Sequence, residues 1–302
     1  MKVSTKNEYD PLKSVIVGSV ENFSWPADDV EFNTGIDRST YSGTLTRGPL
    51  HHEVAEEATE DLDRLVQILE NRDIEVYRPL VDRPHWCYSA RDILLCVDDT
   101  VIQCPTPFQS RANEIELFPF LEDAEVIKAP RPKVESDPRF DAANVLKVND
   151  KLLYSLSHSA NDTGAEWLQQ QVGNKFEVVK WQVVDHSITH IDSTLLTLNE
   201  NTVIVNASRV KERDLPNFMN DYNKIWVDEI EARGFYQFPY ASKWIGMNLL
   251  SLDPETVLVD EIQKSLIKKI EQNGFEVITT PMRQSRTLGG GFHCVTNDLV
   301  RG

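Results

Sequence analysis

The apolar positions of this chain fall in short runs that recur in a fixed order. Runs at 93–97 and 101–104 flank Asp98-Asp99, and runs at 145–148 and 152–156 flank Asn149-Asp150. Runs at 194–198 and 203–205 flank Asn199-Glu200-Asn201, and runs at 249–252 and 257–259 flank Asp253-Pro254-Glu255. Short β-branched runs bounded by Asn and Asp read as hairpins, because these residues accept turn conformations that other side chains resist. After each hairpin the spacing predicts a helix, near 109–121, 163–172, 212–233 and 260–273. Strands are predicted to follow three of these helices, at 125–127, 176–179 and 276–279.

The turns begin at 98, 149, 199 and 253, so the intervals are 51, 50 and 54 residues. A constant period with one unit per repeat signals a stacked or closed array. The first part of the chain supplies an incomplete unit. It has a strand at 15–18 and a long polar loop over about 20–50. A helix with Val54, Ala58, Leu62, Leu65, Val66 and Leu69 on one face follows, then a strand at 74–77. The segment after Cys294 is predicted to complete this unit. Five units then close into a ring, which leaves few free strand edges. The expected fold is α/β, a five-bladed pseudo-symmetric ββαβ propeller in one domain over residues 1–302.

Composition adds exclusions. With 40% hydrophobic and 26% charged residues, the chain has an ordinary globular balance. A formal charge of -17 argues against nucleic acid, which needs a basic footprint. No apolar run approaches the roughly 18 residues of a membrane helix, and residues 1–8 have no apolar signal core. Cys87, Cys96, Cys104 and Cys294 lack paired metal-ligand spacing and suit a reduced, cytoplasmic protein. No cofactor or metal is expected. The oligomeric state is not readable, and a homodimer stays open.

The candidate chemistry lies just before the hairpins, at positions that a ring would turn toward one central space. Arg91-Asp92, Asp141-Ala-Ala-Asn144, His190-Ile-Asp192 and Ala241-Ser242-Lys243-Trp244 precede the four hairpins, and Leu288-Gly-Gly-Gly-Phe-His-Cys294 precedes the last strand. Taken alone, the glycine run is equally a flexible turn before a buried cysteine. Taken together, the set brings a thiol, an imidazole and carboxylates to one place. Cys294 is then a nucleophile for a planar electrophile held by carboxylates, and a guanidinium fits, since its planar fork pairs with carboxylates. His190 serves as acid and base.

These stretches, with Asn7-Glu-Tyr-Asp-Pro-Leu-Lys-Ser-Val-Ile-Val-Gly18, Phe140-Asp-Ala-Ala143 and Met247-Asn248, resemble the arginine:glycine amidinotransferases and their bacterial relatives, in family order over almost the whole chain. The resemblance implies the pentein-like propeller and a set of roles. Cys294 forms a covalent amidino-cysteine, His190 is the general acid and base, and Asp92 and Asp192 grip the guanidinium. Arg209 meets the donor's carboxylate, and Ser242 is a substrate-binding hydroxyl. Asn144 stands where the resemblance suggests an Asp that orients the histidine, so Asn144→Asp is expected to keep or raise activity. Ala241 stands where a Ser is common. His293 matches the family but is assigned to packing, because neighbours on an extended chain point apart.

The implied partners are small molecules, L-arginine and an amine, with glycine as the default acceptor and ornithine and guanidinoacetate as products. The alternatives are a guanidino-group hydrolase of the same fold, or a non-catalytic guanidine-binding protein.

Overall fold

In the computed structural model, which describes residues 1–26, 48–183, 190–232 and 241–302, the apolar runs become strands. In chain order these are β1 (Leu12–Val17), β2 (Ser24–Trp25), β3 (Gly48–Pro49), β4 (Glu75–Tyr77), β5 (Leu94–Val97), β6 (Thr100–Gln103) and β7 (Glu125–Lys128). They continue as β8 (Val145–Val148), β9 (Lys151–Leu156), β10 (Glu177–Gln182), β11 (Leu195–Asn199), β12 (Thr202–Asn206) and β13 (Asn223–Val227). The last four are β14 (Leu250–Ser251), β15 (Thr256–Asp260), β16 (Glu276–Thr280) and β17 (Thr296–Arg301). Among the described residues they form five three-stranded sheets, β17-β1-β4, β5-β6-β7, β8-β9-β10, β11-β12-β13 and β14-β15-β16, and one small pair, β2-β3.

Every three-stranded sheet has the same grammar. Its middle strand pairs antiparallel with one neighbour and parallel with the other. The antiparallel partner is reached by a tight turn in four sheets. Asp98 and Asn149 hold φ of 52° and 55° there, the left-handed region that Asp and Asn tolerate. In the remaining sheet the partner of β1 is β17, so the segment after Cys294 does complete the first unit.

A parallel partner needs a crossover, and three are helical: α1 (His52–Glu70), α2 (Asp162–Val172) and α3 (Lys264–Gln272). Val54, Ala58, Leu62, Leu65 and Leu69 of α1 and Leu266 and Ile270 of α3 are buried, as their spacing predicts. The other two crossovers are not the predicted helices. Residues 109–121 form three short 3-10 turns, and 212–233 holds two such turns and then β13. Pro119 and Pro216 lack the amide that a helix interior needs, and Ile225-Trp226-Val227 favours a strand. Much of the predicted polar loop over 20–50 lies outside the described residues. Two further one-turn helices, α4 (Ser285–Leu288) and α5 (Phe292–Val295), bracket the glycine run. No described helix is long and apolar enough to cross a membrane.

The segments that precede the sheets are tied to one another in a circuit. Ala142 N–H donates to the Asp92 carbonyl at 2.6 Å, and His190 meets Asp141. Cys294 N–H donates to Asn248 Oδ1 at 2.9 Å, and Arg91 N–H donates to the Cys294 carbonyl at 3.1 Å, returning to the segment of Asp92.

Beneath this circuit lies a buried ionic cluster. Arg91 donates to Glu8 at 3.2 Å, to Asp298 at 3.0 Å and to the His293 carbonyl at 2.7 Å. Lys147 lies 3.6 Å from Glu8 and 3.9 Å from Asp298, and Arg301 donates to Asp298 at 2.8 Å. Burial alone would raise the pKa values of both carboxylates, but the surrounding cations hold them below their ordinary range. Their stabilising effect is therefore present above the ordinary carboxylate range and is lost as pH falls through the depressed values. Asp298→Ala leaves three cations without this partner. It is expected to cost about 3–5 kcal/mol in equilibrium denaturation.

Candidate active site

Cys294 stands on α5 and is buried. Two of the three preceding glycines have a physical reason. Gly289 ends α4 with φ of 78°. At Gly291 a Cβ would sit 2.7 Å from the Asn248 carbonyl oxygen and 2.8 Å from its Cβ, so only glycine lets α5 approach Asn248. That approach permits the Asn248 hydrogen bond to the Cys294 amide. The thiol donates to Asp192 Oδ2 at 3.1 Å.

Asp192 sits in the turn Ile191–Ser193 before β11 and is 2% exposed. Its Oδ2 also meets His293 Nδ1 at 3.0 Å. This corrects the packing role expected of His293. Residues 293 and 294 are on a helical turn, where successive side chains diverge by about 100° rather than 180°. Both therefore reach one carboxylate.

Asp92 is held from the other side. Arg111 is buried and hydrogen-bonds Asp92 Oδ2, Glu114 at 2.9 Å and the Ser89 carbonyl at 2.8 Å, with its guanidinium over the Trp86 ring. The second oxygen, Oδ1, is buried without a hydrogen bond and faces His190 Nδ1 at 3.8 Å.

His190 Nε2 lies 3.0 Å from Asp141 Oδ2. The carboxylate that orients the imidazole is therefore Asp141, not residue 144. Asn144 is turned away. It accepts from Asp141 N–H at 3.0 Å and Ser159 Oγ at 2.9 Å, and donates to Ser157 Oγ at 3.0 Å. Asp141 and Asn144 form a reciprocal capping pair around the turn Ala142–Asn144, so the two residues face different partners. Asn144→Asp would bury a second carboxylate in a full hydrogen-bond set. Contrary to the expectation from sequence, it should lower activity and cost on the order of 2–3 kcal/mol in thermal or chemical denaturation.

Arg209 follows β12 and is partly buried. It donates to the Ser193 carbonyl at 3.1 Å, Ser193 Oγ at 2.8 Å, Thr194 Oγ1 at 3.0 Å and Ser242 Oγ at 3.2 Å. Arg209 and Ser242 are thus one unit, bonded to Ser193 of the turn that carries Asp192 and to Thr194 beside it.

The electrostatics divide the groups. Burial raises the Cys294 pKa well above its ordinary value, and the charges of Asp192 and Asp92 push it further up, so the resting group is a thiol. Burial would also raise Asp192, but the His293 hydrogen bond and charge, then the His190 charge and the thiol, bring it below its ordinary value. Burial raises Asp92, offset only in part by Arg111 and His190. For His190 burial works against the cation, but Asp92 and Asp141 outweigh it and raise its pKa to about 9. A buried thiol, an imidazolium and three carboxylates around one space suit a planar cationic substrate and attack at its central carbon.

No family model matches the chain. It is 35% identical to inosamine-phosphate amidinotransferase 1 of Streptomyces glaucescens, in an alignment that covers 99% of this chain and 97% of that protein. The chain belongs to the amidinotransferase family. Among solved structures, this amidinotransferase matches the inosamine-phosphate amidinotransferase of Streptomyces griseus with a TM-score of 0.91 and 33% identity, covering 99% and 97% of the two chains. With that match the fold is an α/β pentein. The mitochondrial glycine amidinotransferase of Xenopus tropicalis is 26% identical, over 99% of this chain and 83% of that protein.

Sequence reasoning placed Asp141 among the converging residues but gave the histidine-orienting role to residue 144, assigned His293 to packing, gave Asn248 no role beyond its motif, and passed over Arg111 and Glu114. Asp141 had a signal, since Asp92, Asp141 and Asp192 each stand two to four residues before the first strand of a sheet. Arg111 had none, because it reaches Asp92 from a different segment.

Proposed function

We propose that this amidinotransferase takes the amidino group of L-arginine onto Cys294 and passes it to an amine of a small molecule, with the 302 residues forming one domain whose five sheets are the blades of a pseudo-symmetric propeller. The observation that carries the reading is the thiol of Cys294 against Asp192, within the same circuit of segments as Asp92 and the His190–Asp141 pair.

The guanidinium lies between Asp92 and Asp192 and neutralises the two charges that keep the thiol protonated. The Cys294 sulfur bonds to the guanidinium carbon, and the bond from that carbon to the ornithine nitrogen breaks. The thiol's proton leaves to solvent as the substrate's charge takes its place, the His190 imidazolium gives its proton to the leaving ornithine nitrogen, and the neutral imidazole so formed takes a proton from the incoming amine in the second half. Asp141 fixes the imidazole, while Arg209 and Ser242 hold the donor's carboxylate.

Two acceptor classes have support. Glycine follows from the motif resemblance, with guanidinoacetate as product. An inosamine phosphate is favoured by identity, 35% to the inosamine-phosphate enzyme against 26% to the glycine enzyme, and we place it first.

Mass spectrometry of the intact protein after mixing with L-arginine tests the reading. An added mass of about 42 Da on the Cys294 peptide, with ornithine released, is the expected covalent intermediate. Discharge by inosamine phosphate or by glycine then assigns the acceptor. Rapid clearance by water alone overturns the transferase in favour of a hydrolase, and no adduct overturns arginine as donor.

A further inference from the structure

His293 is the residue whose contacts exceed any packing role. Its Nδ1 meets Asp192 Oδ2 at 3.0 Å, and its Nε2 faces Glu8 Oε2 at 3.5 Å but is buried without a hydrogen bond. Its carbonyl accepts from Arg91 Nε, so the backbone is pinned at the same point. Glu8 is itself fixed by Arg91 at 3.2 Å and by the Lys147 amide at 3.3 Å. The imidazole therefore stands between a carboxylate of the reaction site and a carboxylate of the buried ionic cluster. The charged and titratable groups that face it are Asp192, Glu8, Arg91 and Cys294, and Asp298 lies behind Arg91.

We infer that His293 is the positioning residue for Asp192: with its backbone pinned by Arg91 and its ring facing Glu8, it holds Oδ2 so that the carboxylate presents its other oxygen to the guanidino group. This rests on the proposed reading of the site as one for a guanidino substrate. Both hydrogen bonds to the Asp192 side chain, from His293 and from the Cys294 thiol, fall on Oδ2. Without His293 the Asp192 carboxylate keeps only the thiol, a weak donor that is lost on reaction. The carboxylate then turns, and a displacement near 1 Å is enough to weaken a gripped planar group. The arrangement on Asp92 is parallel. There the buried Arg111 holds one oxygen and leaves the other without a hydrogen bond.

Steady-state kinetics of two variants tests the inference. His293→Asn keeps a donor where Nδ1 stands, and His293→Leu fills the space without one. Leu is expected to raise KM for L-arginine roughly 10- to 100-fold, with kcat falling less, and Asn to restore most of the loss. Packing alone predicts the reverse order. Unchanged KM in both variants, with the parent forming its Cys294 adduct, overturns the positioning role and leaves the site reading intact. A parent that forms no adduct with any guanidino compound overturns the site reading and this inference with it. Should His293→Leu not fold, an Asn variant that fails to bring KM within about threefold of the parent overturns it as well.

Discussion

Cys294→Ala is expected to abolish amidino transfer, with a loss on the order of 10⁴–10⁶ in kcat and no adduct on the protein. The size follows from the mechanism. The sulfur forms the bond that separates the two half-reactions, and the nearest groups are carboxylates and imidazoles held by other partners. Alanine also leaves the fold intact, because the residue's structural bond is made by its backbone N–H to Asn248. A variant that folds as the parent does, yet still turns over above 1% of the parent rate (about 10⁻²), would remove the nucleophile from Cys294.

Asp141→Asn is expected to lower kcat by about 10²–10⁴, the usual weight of a positioned acid–base group. Asp141 is fully buried against His190, and its charge helps to keep the imidazole a cation to about pH 9. The His190 pKa is raised, so the stabilisation from its partners is fully present below the ordinary histidine value and is lost as pH rises through about 9. In the parent, kcat/KM should fall on the basic side near that pH. In Asp141→Asn that limb should move to lower pH, because an amide does not favour the charged form. The same experiment on Asn144→Asp should leave the limb in place, since Asn144 has no hydrogen bond to the imidazole among the described residues. A limb that moves with residue 144 and not with residue 141 would reverse the assignment.

The sequence by itself determined what depends on short stretches of chain. The alternation of apolar runs with Asn- and Asp-rich turns located four hairpins, because strand and turn preferences act over a few residues. The period near 50 residues placed chemical groups at equivalent points of each unit; Cys294 and His190 follow from that placement, and the choice of Asp92 and Asp192 among the carboxylates follows from the resemblance to the amidinotransferases. Helical periodicity located α1, α2 and α3, but it misled over 212–233, where a proline and a β-branched run overrode the spacing.

Tertiary structure decided the partners. Whether residue 141 or 144 faces His190 depends on which way a one-turn cap projects its two ends, and both sit in the same five-residue motif. The part played by His293 turned on Phe292–Val295 being a helical turn rather than an extended strand, a difference of side-chain direction that four residues do not encode alone. The clamp of Arg111 on Asp92 and the closing of β17 against β1 join residues 19 and roughly 280 positions apart, and such contacts form only when separate sheets pack. Local preference fixes what each segment is. Packing fixes which carboxylate meets which cation, and that decides the charge states on which the chemistry rests.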